Sequence, residues 1–392
     1  MWIVLVAAGM AAGRASSVPD SSIDLLGSNS EFGPRVHDGG AGEGAVAAAV
    51  DGSSPSAAVL GSRVVPGAIV TKGAVRGSVP VADLGDVCLD AYDASHLDGF
   101  LSAPHGPFQG GDYQRAFELD GGRALWVFQD AFLSGRLVHN AAMLQQGRCF
   151  TLLNDGTHNW LFDEITVPFA DWWWILDANH VPDAGRIELV VADMLETGRS
   201  YLSRTRVRRT VVVTIDDRTF EPLGVSGTFD SNPDVSSSVV SGRFYGWAVV
   251  DDAGDGYRYL YSHCYAQYGF DSVFGAPCSA EMFVARVAGS SILGRREYWT
   301  GRTWSPDSAA AVPMFGVDLT ISGNNPGAVR FEPSTGLFHL VIAVDDWWSN
   351  RVVFATSRAP QGPWTVTGVE EVTPRCADCN SYFASWAPTT AD

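Results

Sequence analysis

The sequence is nearly devoid of lysine. Lys72 is the only lysine among 392 residues, and arginine supplies the other basic side chains apart from histidine. Acidic residues outnumber Lys and Arg by 44 to 26, which gives a formal net charge of −18. A chain this negative repels phosphates and anionic headgroups, so nucleic acid and anionic membrane surfaces are excluded as expected partners. The sequence also lacks an apolar run long enough to span a bilayer.

Several catalytic motifs are missing too. The chain has no G-x-S-x-G nucleophile elbow, no phosphate-binding P-loop and no H-E-x-x-H zinc motif. Esterase, nucleotide-hydrolase and zinc-protease chemistry are therefore not expected. No loop has the spacing of a calcium site, so we expect no cofactor and no metal among the site residues. A structural Ca²⁺ remains an alternative.

The N-terminal fifth of the chain does not have the composition of a folded domain. Residues 1–15 are apolar and end in small side chains, which predicts a signal peptide and secretion, although the usual positive start is absent. Residues 16–77 are rich in Ala, Gly, Ser and Pro, which predicts a disordered leader. We expect the folded part, a monomer, to occupy residues 78–392.

Cysteine usage agrees with an oxidising compartment, because the number of cysteines is even. The pair Cys264 and Cys278 flanks a loop and is a candidate disulfide. The C-x-x-C motif at Cys376 and Cys379 has no second pair, so a disulfide is favoured over zinc. The six cysteines are Cys88, Cys149, Cys264, Cys278, Cys376 and Cys379.

Short strands dominate from Gly110 onward, and they recur in groups of about four. Turn sequences rich in Gly, Asp and Pro separate the strands, and helical periodicity is scarce. Four-stranded units repeated along a chain are typical of a β-propeller. The sequence therefore predicts an all-β fold of four-stranded antiparallel blades after a disordered N-terminal leader.

The first group carries the clearest candidate site. Its strands are expected over Asp112–Leu119, Ala124–Asp130 and Leu137–Leu144, with a tight turn at Asp120–Arg123. In an antiparallel hairpin about that turn, paired residue numbers sum to about 243. Asp112 then lies beside Asp130, and His139 and Asn140 enter from the same edge.

The later groups repeat this register. In each group the second strand ends on a polar residue that is expected beside the start of the first strand. In a propeller, the first strands line the central channel, so these positions would form a rim around one mouth. For any one residue, a role in capping the loop is an alternative. The rim positions are Asp112 with Asp130, Asp171 with Asp193, Phe244 with His263, and Asn324 with Asp345.

Aromatic residues near this rim are candidates for contact with a flat, partly apolar ligand such as a sugar. Trp172 and Trp174 share one face of a strand and Trp173 points to the other, so part of this triplet is expected in the core. Tyr245 and Trp247 show the same spacing. The complete set of predicted substrate-binding residues is His139, Asn140, Asp171, Trp172, Trp174, Asp193, Tyr245, Trp247, His263, Asn324 and Asp345.

The motifs of the first and fourth groups resemble the five-bladed β-propeller glycosidases that act on furanosides. The sequence is most similar there to an uncharacterised bacterial family related to endo-D-arabinanases. The motifs are Gly-Gly-Asp112, Leu-Trp-Val-Phe-Gln-Asp130, His139-Asn140 and Ser357-Arg-Ala-Pro-Gln-Gly-Pro-Trp364. The resemblance covers residues from about 110 to the C-terminus. It implies five blades, with Asp112 as catalytic base or nucleophile.

Glycoside hydrolysis uses two carboxyl groups that flank the scissile bond, and Asp112 and Asp130 are the candidates. The expected function is thus a secreted glycoside hydrolase acting on a furanose-containing polysaccharide such as arabinan. The alternative is a non-catalytic carbohydrate-binding propeller. It is favoured by Ser322–Gly327, which has no carboxylate where the resembled enzymes place a glutamate. The fifth blade either is closed by a segment such as Val64–Cys88 or is incomplete.

Overall fold

The structure is a computed structural model. It describes residues 4–9, 87–101, 104–154, 158–161, 172–196, 205–231, 244–263, 282–314, 327–344, 351–371 and 380–388. The chain divides into two units, one of residues 1–11 and 68–392 and the other of residues 12–67. The second unit and the predicted leader over 16–77 lie outside the described residues.

Strands are numbered β1 to β23 along the chain, and all pairings between them are antiparallel. Sheet one has the order β2-β9-β8-β5-β4. Its strands are β2 (Val87–Cys88), β4 (Arg115–Leu119), β5 (Arg123–Phe128), β8 (Ala141–Gln146) and β9 (Cys149–Leu152). An accessory sheet pairs β3 (Phe108–Gly111), β6 (Ala131–Leu133) and β7 (Arg136–Val138). The one α-helix among the described residues, α1 (Ala94–Leu101), packs Leu97 and Phe100 into the core beneath sheet one. Two short 3-10 helices occur at Pro182–Ala184 and Ser308–Ala310.

Sheets two, three and four follow in chain order, and each keeps its strands in sequence order. Sheet two is β10 (Trp172–Val181), β11 (Arg186–Glu196), β12 (Thr205–Asp216) and β13 (Pro222–Ser231). Sheet three is β14 (Phe244–Val250), β15 (Tyr257–His263), β16 (Met282–Ala288), β17 (Arg296–Trp299) and β18 (Trp304–Ser305). Sheet four is β19 (Ala328–Glu332), β20 (Leu337–Val344), β21 (Arg351–Ser357) and β22 (Thr365–Glu371). The predicted all-β class and the four groups of strands are confirmed.

A two-stranded terminal sheet pairs β1 (Val4–Gly9) with β23 (Asn380–Trp386). The segment in which a signal peptide is predicted therefore contributes a strand in the structure. In addition, β23 contacts β4 of sheet one and both β19 and β20 of sheet four. The terminal sheet thus contacts both the last large sheet and the first.

Consecutive sheets pack face to face, which explains why the middle strands are apolar on both sides. In sheet two, Val190 and Val212 face the cluster shared with sheet three, whereas Leu189 and Val213 face the cluster shared with sheet one. The side-chain period of two in a strand sends neighbours to opposite faces, so runs such as Val-Val-Val at 211–213 fill both cores. Burial of these strands supplies the main stabilisation of the fold.

The first strands of the sheets form the inner layer. β10 contacts β4 on one side and β14 on the other, and β14 in turn contacts β19. The turns that end these first strands share one end of the inner layer, because Glu118, Asp252 and Pro333 line the same cavity. Asp112 precedes β4 and so belongs to the opposite end.

Two sequence expectations need correction. The third strand predicted over Leu137–Leu144 is interrupted, because the amide of His139 donates to Asn159 Oδ1 and the carbonyl of Asn140 accepts from Trp160 N instead of joining a ladder. Asp193 pairs with Trp173, not with Asp171, since β11 continues to Glu196.

A disulfide that the sequence does not reveal links Cys88 to Cys149, 61 residues apart. It joins β2 to β9 at the outer edge of sheet one. The bridges expected at Cys264–Cys278 and Cys376–Cys379 lie outside the described residues.

Removing the Cys88–Cys149 bridge is expected to lower the free energy of unfolding by about 4 kcal/mol, because the unfolded chain regains the freedom of a long loop. Urea denaturation of the Cys88→Ala/Cys149→Ala variant against wild type measures the difference. An unchanged urea midpoint in non-reducing buffer would show that the bridge contributes nothing.

Candidate functional site

The start of sheet one brings Asp112 and Asp130 together. Asp112 N donates to Asp130 O at 2.8 Å, and Gln129 N donates to Asp112 O at 3.2 Å. The Asp130 amide in turn donates to the Asp112 carboxylate oxygen Oδ1 at 2.8 Å. Observed pairs such as Arg115 with Val127 sum to 242, close to the expected 243. The predicted pairing of Asp112 with Asp130 is confirmed at the backbone.

The backbone before Asp112 requires glycine. A Cβ on Gly111 would lie 2.8 Å from Phe128 Cδ1 and 3.2 Å from Asp130 O, which is too close. The next residue, Tyr113, has a φ of +50°, a left-handed conformation that costs energy for a bulky side chain. The chain thus turns sharply around Asp112, and such strain often marks a functional position.

Asp130 is held by His139, which lies between β7 and β8, and by Trp174 of sheet two. Its Oδ1 accepts from His139 Nδ1 at 2.9 Å and from Trp174 Nε1 at 2.8 Å. Because the Asp130 oxygen accepts this bond, the donated proton of His139 is assigned to Nδ1. Asp130 is partly exposed, and within the described residues neither bond uses its Oδ2. The carboxylate is therefore fixed in orientation with one oxygen available.

A stack of rings covers this carboxylate. His139 stacks on Trp172 with ring centroids 4.9 Å apart and planes 28° apart. Trp172 packs edge-on against Trp174 at 6.1 Å, so the two share a face as predicted. We call Asp112, Asp130, His139, Trp172 and Trp174 the rim cluster. Trp172 is buried and Trp174 is half-buried.

Asn140 has a structural position in this region. It is fully buried, its Oδ1 accepts from Leu161 N at 2.6 Å, and its Nδ2 donates to Trp173 O at 3.2 Å. These bonds tie the segment at 158–161 to sheet two. The predicted contact between Asn140 and a substrate stays a prediction, but its amide already has bonding partners here.

Asp193 belongs to a different cluster. Its buried carboxylate accepts from Arg208 Nη2 at 2.9 Å and from Arg209 Nε at 3.0 Å. It shares a strand face with Trp173, opposite to Trp172 and Trp174. The structure therefore does not bring Asp193 into the rim cluster.

The remaining predicted positions divide into core residues and undescribed ones. Tyr245 and Trp247 are both 2% exposed and pack in the core between sheets two and three. The backbone of His263 pairs with Phe244 as expected. Asp171, Asn324 and Asp345 lie outside the described residues.

Sequence reasoning missed two residues beneath the rim. Tyr113 packs edge-on against Trp247 with ring centroids 5.8 Å apart. Arg115, which is 3% exposed, donates through Nη2 to Trp247 O at 2.8 Å and to Gly327 O at 3.2 Å. Arg115 therefore links sheet one to sheet three and to the start of sheet four. No sequence motif predicts this role for a buried arginine in a strand.

Below Arg115, an axial cavity of about 280 Å³ contains buried acidic groups. Asp177 accepts from Val249 N at 2.8 Å and Ala178 N at 2.9 Å. Burial nevertheless raises its pKa to about 7, an effect that Arg115 opposes. Burial also raises the pKa of Asp251. The cavity thus holds two buried carboxyl groups whose pKa values burial raises above the ordinary value.

Asp177 should make stability depend on pH. Its folded pKa of about 7 exceeds the ordinary value of 3.8, so the folded chain keeps a proton that the unfolded chain releases. The stabilisation is complete below pH 3.8 and is lost as pH rises through 7, with a maximum slope of about 1.4 kcal/mol per pH unit. Urea midpoints at pH 5 and pH 8 should show a steeper fall for wild type than for Asp177→Asn. Equal falls would contradict the assignment.

Two features are absent from the described part of the chain. No group of three or more His, Cys, Asp or Glu side chains there is arranged to hold a metal ion. Nor does the described part contain a helix with the length and apolarity of a membrane span.

Comparison with known proteins places the chain in a family. Its fold is similar to that of a protein from Bacteroides ovatus described as a hydrolase, with 14% identity over 71% of this chain and 73% of that chain and a TM-score of 0.51. A GH43_1 enzyme from Xanthomonas citri shows 17% identity over 65% of this chain and 72% of that chain, with a TM-score of 0.35. No curated protein matches the sequence. A family model described as a domain of unknown function, DUF5005, matches residues 95–386. The chain therefore belongs to the DUF5005 family.

Proposed function

We propose that this protein is a glycoside hydrolase that uses Asp112 and Asp130 as its pair of carboxyl groups. The observation that carries the proposal is their position at adjacent strand ends, bonded through Asp130 N and Asp112 Oδ1 at 2.8 Å. Two carboxyl groups on either side of a glycosidic bond suffice for acid–base hydrolysis. The rings of Trp172 and Trp174 beside them suit the apolar face of a sugar.

The two carboxyl groups take the two roles that this reaction requires, base or nucleophile and general acid. Asp112 acts as base or nucleophile at the anomeric carbon. Asp130 serves as general acid toward the departing sugar oxygen through Oδ2, while His139 and Trp174 hold its Oδ1. Water adds across the broken C–O bond, and the proton balance is restored through the same pair.

The substrate proposed is a furanose-containing polysaccharide such as arabinan. The support is the resemblance of Gly-Gly-Asp112, Phe-Gln-Asp130 and His139-Asn140 to furanoside-cleaving propellers. The similar Bacteroides ovatus fold, described as a hydrolase, agrees with a hydrolytic reaction.

Release of reducing ends from arabinan, arabinogalactan and xylan by wild-type protein tests the proposal. Calorimetric titration of the Asp112→Asn variant with the same glycans measures binding without turnover. Cleavage of arabinan by wild type supports the proposal. Absence of cleavage of all three glycans contradicts it.

Trp174→Phe is expected to reduce kcat on arabinan by about tenfold. Phenylalanine keeps an aromatic ring but removes the N–H that donates to Asp130 Oδ1 at 2.8 Å, and a single hydrogen bond contributes about 0.5–1.5 kcal/mol. Trp173→Phe is the matched control, because Trp173 lies on the other face of the strand. Equal activity of the Trp174→Phe variant and wild type would show that the bond does not matter for the reaction.

A non-catalytic carbohydrate-binding propeller is the second candidate function. The stretch Ser322–Gly327 favours it, since no carboxylate occurs where the resembled enzymes have a glutamate. Binding of arabinan by wild type with no release of reducing ends would support this candidate.

We further propose a closed ring of five blades in which the terminal sheet is the fifth. Contacts of β23 with β4 and β19 support this arrangement. The Cys88–Cys149 bridge supports secretion of the protein, proposed here as a monomer. Cleavage of residues 1–15 would remove β1, so N-terminal sequencing of the secreted protein shows whether β23 keeps its partner.

A further inference from the structure

A second cavity, of about 400 Å³, opens between sheets three and four. It is lined by the side chains of Tyr259 and Trp304 from sheet three and of Phe331 and Phe338 from sheet four, with Asp255 and Arg358 at its edge. A volume of this order falls in the range of sites for small ligands. We call it the aromatic cavity.

The aromatic cavity lies at the opposite end of the sheets from the rim cluster. Asp255 belongs to the turn between β14 and β15, and Gly336 belongs to the turn between β19 and β20. Each of these turns joins the first two strands of its sheet. Both turns lie at the end of the sheets where Glu118 and Pro333 line the axial cavity. Asp112 precedes β4 at the other end. A ligand here cannot be part of a chain segment bound directly between Asp112 and Asp130.

Four rings form a continuous row along the cavity. Ring centroids are 6.1 Å apart for Trp304 and Tyr259, 5.7 Å for Tyr259 and Phe338, and 5.0 Å for Phe338 and Phe331. Tyr259 and Phe338 are buried, whereas Trp304 and Phe331 are half-buried and present ring surface. The buried rings of Tyr259 and Phe338 form an apolar platform, and the half-buried rings of Trp304 and Phe331 lie on either side of it.

The platform is rigid. Arg286 lies over the Trp304 ring at 4.7 Å and over the Tyr257 ring at 4.1 Å, and Glu297 holds its guanidinium at 2.8 Å. A cation between two rings fixes both, so Trp304 is kept in place before any ligand arrives. Preorganisation of this kind lowers the entropy cost of binding.

The edge of the cavity selects the ligand class. The carboxylate of Asp255 is oriented by bonds from Tyr259 Oη at 2.5 Å and from Tyr257 N at 3.1 Å, and its oxygens have further lone pairs for hydroxyl donors. Arg358 is exposed and offers guanidinium N–H groups to hydroxyl oxygens. Opposite charges on one edge suit a neutral polyhydroxylated ligand, because an anionic sugar would meet Asp255.

We propose that the aromatic cavity is a second carbohydrate site, which binds one neutral sugar unit on its aromatic row and bonds the hydroxyls through Asp255 and Arg358. This site is separate from the proposed hydrolysis and does not depend on it. It would hold a glycan on the face away from the rim cluster.

Calorimetric titration of Asp112→Asn protein with arabinotriose, xylotriose, galactotriose and trigalacturonate tests the proposal. At least one neutral trisaccharide should bind. If it binds at one site, Arg358→Ala should weaken its affinity by about tenfold or more. If it binds at two sites, Arg358→Ala should remove one of them. Trp304→Ala should act in the same direction. Arg302→Ala, which removes an exposed arginine in the neighbouring turn, should have no effect.

Failure would be clear because Arg358 is exposed and its replacement leaves the core intact. If no neutral trisaccharide binds, if binding is the same with and without Arg358, or if trigalacturonate is preferred, the proposal is wrong. The hydrolysis assay is read separately. If wild type hydrolyses no glycan but Arg358→Ala still weakens trisaccharide binding, only the proposed function fails. If wild type hydrolyses arabinan but Arg358→Ala leaves trisaccharide binding unchanged, only the second site fails.

Discussion

Asp112→Asn is expected to lower kcat on arabinan by about a thousandfold. Loss of a general base or nucleophile costs about 10² to 10⁴ in rate, because asparagine cannot take up a proton or attack the anomeric carbon. Asparagine keeps a side-chain oxygen that can accept a hydrogen bond from the Asp130 amide, which donates to Asp112 Oδ1 at 2.8 Å in the wild type. The turn around Gly111 should therefore survive. Initial rates of reducing-end release at saturating arabinan provide the measurement.

The control for this variant is Asp120→Asn. Asp120 is exposed in the turn of the same hairpin, at the opposite end from the rim cluster. Its substitution should leave kcat unchanged, and both variants should unfold at the wild-type urea concentration. Hydrolysis that survives in the Asp112→Asn variant would remove Asp112 from the mechanism.

Glu188→Ala is expected to lower the free energy of unfolding by about 3–5 kcal/mol, the range for breaking a buried ion pair. Glu188 is 0% exposed. Its two oxygens accept from Asn179 Nδ2 at 2.9 Å, Arg186 Nη2 at 2.8 Å, Ser291 Oγ at 2.6 Å and Ile292 N at 2.8 Å. These bonds join sheet two to the segment after β16 of sheet three, and alanine would strand the buried Ile292 amide.

Glu221→Ala is the matched control, because Glu221 is an exposed glutamate in the turn between β12 and β13 of the same sheet. Its effect should stay within about 0.5 kcal/mol of zero. Chemical denaturation monitored by tryptophan fluorescence measures both variants. A loss below about 1 kcal/mol for Glu188→Ala would show that this carboxylate does not hold the two sheets together.

The register of sheet one could be predicted because its turn is short and rich in glycine. Asp120–Arg123 leaves little choice of pairing, so Asp112 had to fall beside Asp130, and the Asp112 N to Asp130 O bond confirms it. The groups of strands were equally readable, since hydrophobic strands and turn residues alternate along the chain.

Features that depend on distant contacts could not be predicted. Asp193 looks like another rim carboxylate in sequence, but β11 runs three residues further and two arginines of β12 take its oxygens. Tyr113 and the buried Arg115 both contact Trp247, which is 132 positions away from Arg115. Sequence periodicity contains no information on such contacts.

The paired role of Asp112 and Asp130 is tested most directly by a double-mutant cycle on arabinan. The cycle compares kcat for wild type, Asp112→Asn, Asp130→Asn and the double variant. Because groups that act as one unit show non-additive losses, the double variant should be about as slow as the slower single variant. Losses that multiply, or a single variant with wild-type kcat, would contradict the account.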